Sequence, residues 1–330
     1  MNMKKLNVAL AIFVAAVMAG NAQTNSTNTV YSHTVGYQAK SIGAGSLSVI
    51  SAPFTDAVVT GTISAATSSS VTFGEVSNLG SLVNSTDPLY IEVTSGSLEG
   101  ERYDILLTSI TSATNTLNIS TSSSNNTSSF PGATLVGASV ALRKHTTLNS
   151  LKAMFSPGLK TGTPTTGDLV YIFSSGAWAP YYLDTSSVWK RSGNLSNQNY
   201  VVIPPSSAVM LKRVDTTATV FTQTGFVRKN KFAKNYKAGL GVYAPGFPIA
   251  YSPNSIGATT AGGWSNGDII YVMNNGAFVP YTFNSTAGSW KRTGSLSEFR
   301  ASELLASDSG ILVKKANAAN VSETSPVATN

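Results

Sequence analysis

Two stretches of this chain, one hundred positions apart, are near copies of each other. From Gly167 the sequence reads GDLVYIFSSGAWAPYYLDTSSVWKRSGNLS, and from Gly267 it reads GDIIYVMNNGAFVPYTFNSTAGSWKRTGSLS. Asp168, Tyr171, Gly176, Pro180 and Tyr181 recur as Asp268, Tyr271, Gly276, Pro280 and Tyr281. One inserted residue then shifts Trp189, Lys190 and Arg191 onto Trp290, Lys291 and Arg292. Both copies end in an apolar run closed by two basic residues, AVMLKR and GILVKK. A match this long with a single gap marks a duplicated unit, so the fold of one copy constrains the fold of the other.

The unit reads as β structure. The Asn-Gly of NNG at Asn274–Gly276 tolerates the positive φ angles of a type I′ turn, and SSG holds the same place in the first copy. The flanking runs Leu169–Phe173 and Ala177–Leu183 then pair as a hairpin. Ala177, Ala179, Tyr181 and Leu183 share one face of the second strand, as do Ala277, Val279, Tyr281 and Phe283, so this face packs on a core. The opposite face carries Trp178, Pro180 and Tyr182 in one copy and Phe278, Pro280 and Thr282 in the other. VWKRSG supplies a third strand, with Trp189 pointing inward and Lys190 outward. A fainter echo, DPLYIEVTSGSLEGERYDI from Asp87, has the Asp, the Tyr and a turn glycine. Its spacing fits a third copy and an unrelated hairpin equally well.

Helical periodicity is scarce elsewhere. Short alternating runs are separated by Gly, Asn, Ser and Pro, as in all-β chains. TLVGASVALRK places Val136, Ala138, Val140 and Leu142 on one strand face. The Ser/Thr/Asn-rich stretch TSITSATNTLNISTSSSNNTSSF is expected to hold a strand near Leu117–Ile119 and then a solvated loop to Phe130.

The chain opens with the pattern of a secretory signal peptide: Lys4 and Lys5, an apolar run Val8–Ala19, and small residues at Gly20 and Ala22, with cleavage expected after Ala22. The apolar run is too short to span a bilayer comfortably, and no later segment is long and apolar enough to do so. The mature protein is therefore expected outside the cytoplasm, in the periplasm, at the cell surface or beyond it, with no transmembrane segment. Its two or more antiparallel sandwich- or barrel-like lobes contain the duplicated Trp-Lys-Arg hairpin. The division reads as a leader 1–22, an N-terminal β domain 23–145, a first copy 146–225, and a basic linker plus second copy 226–330.

With no cysteine, the chain has no disulfide, thiolate metal site or Cys nucleophile, and burial must hold it together. The formal charge of +7 falls by two with the leader, and only 11% of residues are charged. That is not the Lys/Arg-dense composition of a dedicated nucleic-acid binder.

Three ordered stretches, LYIEVTSGSLEGERYDI…ATNTLNI, VALRKHTTLNSLKAMFSP and GDLVYIFSSGAWAPYYLDTSSVWKRSGNLSNQNYVVIPPSSAVML, follow an opening VGYQAKSIGAGSLSVISAPF. Together they resemble an exported, uncharacterised protein family found mainly in verrucomicrobial bacteria. The resemblance covers most of the mature chain and implies export and a β-rich fold. It brings no catalytic residues.

Groups that titrate or bind metals are few. His33 and His145 have no Cys, His or acidic neighbour at ligand spacing. No serine falls in a nucleophile elbow such as G-x-S-x-G. Glu99 and Glu101 flank Gly100 like the carboxylate pair of a glycosidase, but Arg102 beside them suits a plain ion pair. Asp168 and Asp268 lack a calcium-loop pattern and read as turn residues bonding nearby backbone. No catalytic residue, metal site or cofactor is expected.

Two features have the chemistry of a contact surface. The aromatic face of Trp178, Tyr182 and Phe278 suits either sugar stacking or packing between modules. In GFVRKNKFAKNYKAG, Arg228, Lys229, Lys231, Lys234 and Lys237 interleave with Phe226, Phe232 and Tyr236. Such a run can hold an anionic polymer without sequence preference, or form a solvated linker. The expected role is a non-catalytic structural or adhesive component of the cell envelope or extracellular matrix, with cell-surface polysaccharide or other envelope proteins as partners. The alternative is a carbohydrate- or anionic-polymer-binding module.

Overall fold

The computed structural model describes residues 35–54, 57–76, 78–82, 87–107, 115–120, 129–294, 298–299 and 305–326. The signal-peptide residues, His33 and most of the Ser/Thr/Asn-rich loop lie outside them.

β1 (Val35–Ile42) and β2 (Leu47–Ile50) come first. β3 (Ala57–Ala66), β4 (Ser70–Phe73), β5 (Leu89–Val93), β6 (Arg102–Asp104), β7 (Thr116–Asn118) and β8 (Ser139–Lys144) make one antiparallel sheet, ordered β6-β5-β8-β3-β4-β7. Its buried side closes over Ile91, Val93, Tyr103, Leu117, Val140 and Leu142. Next come β9 (Thr146–Thr147), β10 (Phe155–Ser156), β11 (Leu169–Ser174), β12 (Ala177–Leu183), β13 (Trp189–Arg191), β14 (Val202–Ile203), β15 (Val209–Lys212) and β16 (Thr219–Phe226). The last group is β17 (Phe232–Tyr236), β18 (Gly239–Tyr243), β19 (Ile269–Asn274), β20 (Ala277–Asn284), β21 (Ser289–Arg292), β22 (Glu298–Phe299), β23 (Ile311–Lys315) and β24 (Ala319–Glu323). The described helices are short, α1 (Leu79–Leu82) and α2 (Leu148–Lys152), and none is long and apolar enough to cross a membrane.

The two copies share one strand plan. The first sheet runs β13-β12-β11-β15-β2, and the second runs β21-β20-β19-β23-β18 with β22 added at its edge. Both hairpins turn on two residues with positive φ, Ser175 (52°) and Gly176 (81°) in one, Asn275 (49°) and Gly276 (80°) in the other. Trp189 pairs with Leu183 and Trp290 with Phe283, and both indoles are buried in their module cores. Each module also has an opening strand paired with its closing one, β1 with β16 and β17 with β24. Asp168 is buried against Arg213 at 2.8 Å and Asp268 against Lys315 at 2.7 Å, each also accepting backbone N–H bonds. The sheet that contains the Asp87 segment has the same core order: β6-β5-β8-β3 matches β12-β11-β15-β2.

Two expected boundaries are corrected. Residues 35–50 do not belong to an N-terminal domain ending at 145, because β1 and β2 complete the first module through β16 and β15. The six-stranded sheet is instead an insertion lobe between β2 and β9. The expected basic linker after 225 is in part a strand, β17.

The modules dock about a pseudo-twofold axis. Ile50 pairs with Val209 and Tyr243 with Ile311, which makes Ser51 equivalent to Ala244, and Ser206 to Asp308. The contacts are reciprocal: Ser51 N–H donates to Asp308 O, and Ala244 N–H to Ser206 O, both at 2.9 Å. Between them Val49 and Val242, Phe173 and Met273, and Trp178 and Phe278 meet as equivalent pairs in a shared apolar layer. Residue i meeting j while j meets i is the signature of an isologous interface.

Candidate functional site

The basic run does not form one cationic surface. β17 alternates Phe232, Lys234 and Tyr236 on a single buried face, and Lys234 forms a close ion pair with Glu323 while donating to Ala244 O at 2.6 Å. Burial lowers the Lys234 ammonium below its ordinary pKa, with Glu323 opposing that shift. Arg228 is buried too. Arg228 and Lys234 are thus corrected from polymer contacts to internal ions, and only Lys229, Lys231 and Lys237 of the five are exposed. Lys231 also lies 3.6 Å from Glu99.

Arg228 stands where all three lobes meet. Its Nε donates to both oxygens of Glu92 of the insertion lobe, at 3.0 and 3.1 Å. Its Nη1 donates to Pro53 O, which follows β2, and to Gly246 O, which follows β18, at 3.2 and 3.1 Å. Its Nη2 donates to the Tyr90 hydroxyl at 3.2 Å. Glu92 further has Arg143 Nε at 2.7 Å and accepts from Asn230 Nδ2 at 2.8 Å. Burial alone would raise the Glu92 carboxyl, yet Arg228 and Arg143 outweigh it and hold the group at about 2. Beside this pair, Arg102 stacks on Phe232 with its guanidinium carbon 3.9 Å from the ring centre and donates to Ala233 O at 2.7 Å.

The aromatic face is also internal. Trp178 packs edge-on against Phe173 with ring centres 5.2 Å apart, and with Phe278 it lines the layer between modules. Tyr182 is buried on the same strand. Trp178, Tyr182 and Phe278 therefore do not form an open sugar platform, because module docking covers Trp178 and Phe278 and Tyr182 is itself buried. Glu99 accepts the Lys231 backbone N–H at 2.8 Å. His145 meets Asp104, forty-one positions earlier, at 2.9 Å, a partner invisible to local spacing. Among the described residues no group of three or more His, Asp or Glu side chains is placed to hold a metal ion.

Docking leaves two grooves related by the pseudo-twofold. One, of about 550 Å³, lies between the segment joining β1 to β2 and the Asn275–Gly276 turn. The other, of about 620 Å³, lies between the segment joining β17 to β18 and the Ser175–Gly176 turn. Serines line both beside apolar side chains, among them Met273 in the first and Phe173 and Tyr243 in the second, and Lys40 in the first is held by Asp308 at 3.1 Å and Ser309 at 2.7 Å. Sequence reasoning passed over Glu92, although one carboxylate inside the apolar run LYIEV is the mark of a buried ion pair. No family model, curated protein or solved structure matches the chain.

Proposed function

We propose that this chain is an exported, non-catalytic structural or adhesive component of the cell envelope or extracellular matrix. The observation that carries the reading is Arg228: one buried side chain bonds the insertion lobe and both modules at once. Charges and aromatics that would serve a ligand are taken up in joining lobes, as suits a part whose task is to keep its shape. The leader-like start, read from Lys4, Lys5 and the apolar run after them, supports export. Cell fractionation with an antibody and N-terminal sequencing test this. The protein should appear in an envelope or medium fraction and begin at Gln23, and a cytoplasmic form retaining Met1 would overturn it.

Binding of an anionic polymer is the second reading, and it rests on the exposed Lys229, Lys231 and Lys237. It requires weak binding to acidic polysaccharide that falls steeply with salt. Changing these three lysines to Gln should abolish that binding, and an unchanged affinity would end the reading.

A further inference from the structure

β1 and β17 hold the same place in their modules, yet their outer edges are treated differently. On β17 the edge is covered by the insertion lobe. Ala233 N–H donates to Gly100 O at 3.2 Å, Arg102 Nη2 donates to Ala233 O, and Lys231 N–H donates to Glu99 Oε1. No second insertion lobe exists to cover β1, because residues 244–268, between β18 and β19, hold turns and no strand and pack into the second module's own core. β1 is the outermost strand of the order β1-β16-β10, and among the described residues its outer edge has no partner.

That edge also lacks the usual safeguards against pairing, which are charge, proline, a bulge or shortness. β1 is eight residues long and pairs with β16 without a shift in register. Val35, Tyr37, Ala39 and Ser41 are exposed, the first two at 66% and 68%. The strand's one charge, Lys40, lies on the other face and is bound to Asp308.

We propose that the β1 edge is a self-association surface, on which β1 of a second copy of this chain pairs antiparallel about a twofold axis. Thr222, which faces Ala39, donates its N–H to Met154 O on the far side of β16, so the N–H and C=O of Ala39 point away from β16, and alternation does the same for Tyr37 and Ser41. With Ala39 facing Ala39 of the second copy, Tyr37 faces Ser41 and Gln38 faces Lys40. No like charges oppose each other, and the outward backbone groups of these residues are satisfied in both strands. The sheet then continues as β10-β16-β1 followed by its mirror order, and the exposed Tyr37 is covered. Isologous docking is already the way the two modules of one chain associate. The inference is independent of the envelope reading, since it is drawn from β1 alone.

Sedimentation velocity of the chain from Gln23 onward, over a range of concentrations, tests it with charge-swapped edges. The parent should dimerise. Tyr37→Lys/Ala39→Lys and Tyr37→Glu/Ala39→Glu, both at exposed positions, should each keep the parent's melting temperature and weaken dimerisation by on the order of tenfold. Mixing the two should restore a dimer. Because the chain has no cysteine, Ala39→Cys reports the register. Facing residues of a hydrogen-bonded pair have Cα atoms about 5.5 Å apart, within disulfide reach, so mild oxidation should cross-link it well ahead of Leu195→Cys, a control at 74% exposure. A parent that stays monomeric, charged variants that dimerise like the parent, or Ala39→Cys linking no faster than the control would each overturn the proposal.

Discussion

Trp189 and Trp290 occupy equivalent positions, but their indole N–H groups are treated differently. Trp290 Nε1 donates to Ala258 O at 3.0 Å, whereas Trp189 Nε1 is buried without a partner among the described residues. An unpaired buried donor carries a desolvation cost, while a paired one contributes about 1 kcal/mol. Trp290→Phe should therefore destabilise the protein by about 1 kcal/mol more than Trp189→Phe does, as measured by urea unfolding. Equal losses would mean that the Ala258 bond has no net value. Truncating either residue to Ala should cost roughly 3–5 kcal/mol. The inward direction of both indoles was legible in the sequence because WKR alternates across a strand. The direction of Lys234 was equally legible, since it sits two residues from Phe232 and from Tyr236 and so shares their face. Reading the segment by its charge alone hid that alternation.

At the scale of elements, local signals located the hairpins and non-local pairing decided the rest. Positive φ at Ser175 and Asn275 makes the two turns alike, and the residue better suited to that conformation stands only in the second. Ser175→Asn should stabilise the first hairpin by about 0.5 kcal/mol, and a drop in melting temperature would contradict the turn assignment. β1 and β2 could not be assigned from local sequence, because their partners β16 and β15 lie far downstream, beyond an inserted lobe. The module interface was hidden for a similar reason, since it shows only when equivalent strands face each other. Ala208 and Gly310 are equivalent and meet there, and a Cβ on Gly310 would fall 2.1 Å from the Ala208 Cβ. Gly310→Ala should thus cost about 1–3 kcal/mol, as other overpacked sites do. Adding Ala208→Gly should recover part of the loss, and failure of that rescue would place the strain elsewhere.

For the whole molecule, the buried ions joining the lobes make stability depend on pH in a direction that can be derived. Glu92 titrates at 4.5 as a free carboxyl and at about 2 when folded. A carboxylate with a depressed pKa stabilises the fold fully above its unfolded value, and that contribution fades as pH falls through the folded one. Asp268 acts in the same sense: burial raises it, but Lys315 and backbone N–H groups bring it below its ordinary value. On the alkaline side, burial raises Tyr236 and Tyr251, so their contribution is lost as pH climbs above 10, while Lys234 works in the opposite direction. Urea unfolding followed by tryptophan fluorescence should accordingly show a plateau near neutrality. Its acid limb should fall between pH 4.5 and about 2, with Glu92 alone accounting for about 3 kcal/mol. Glu92→Gln should flatten that limb and, by leaving Arg228 and Arg143 without their carboxylate, destabilise the protein at pH 7 by roughly 3–5 kcal/mol. An unchanged acid limb in that variant would show that Glu92 is not the group whose ionisation holds the three lobes together.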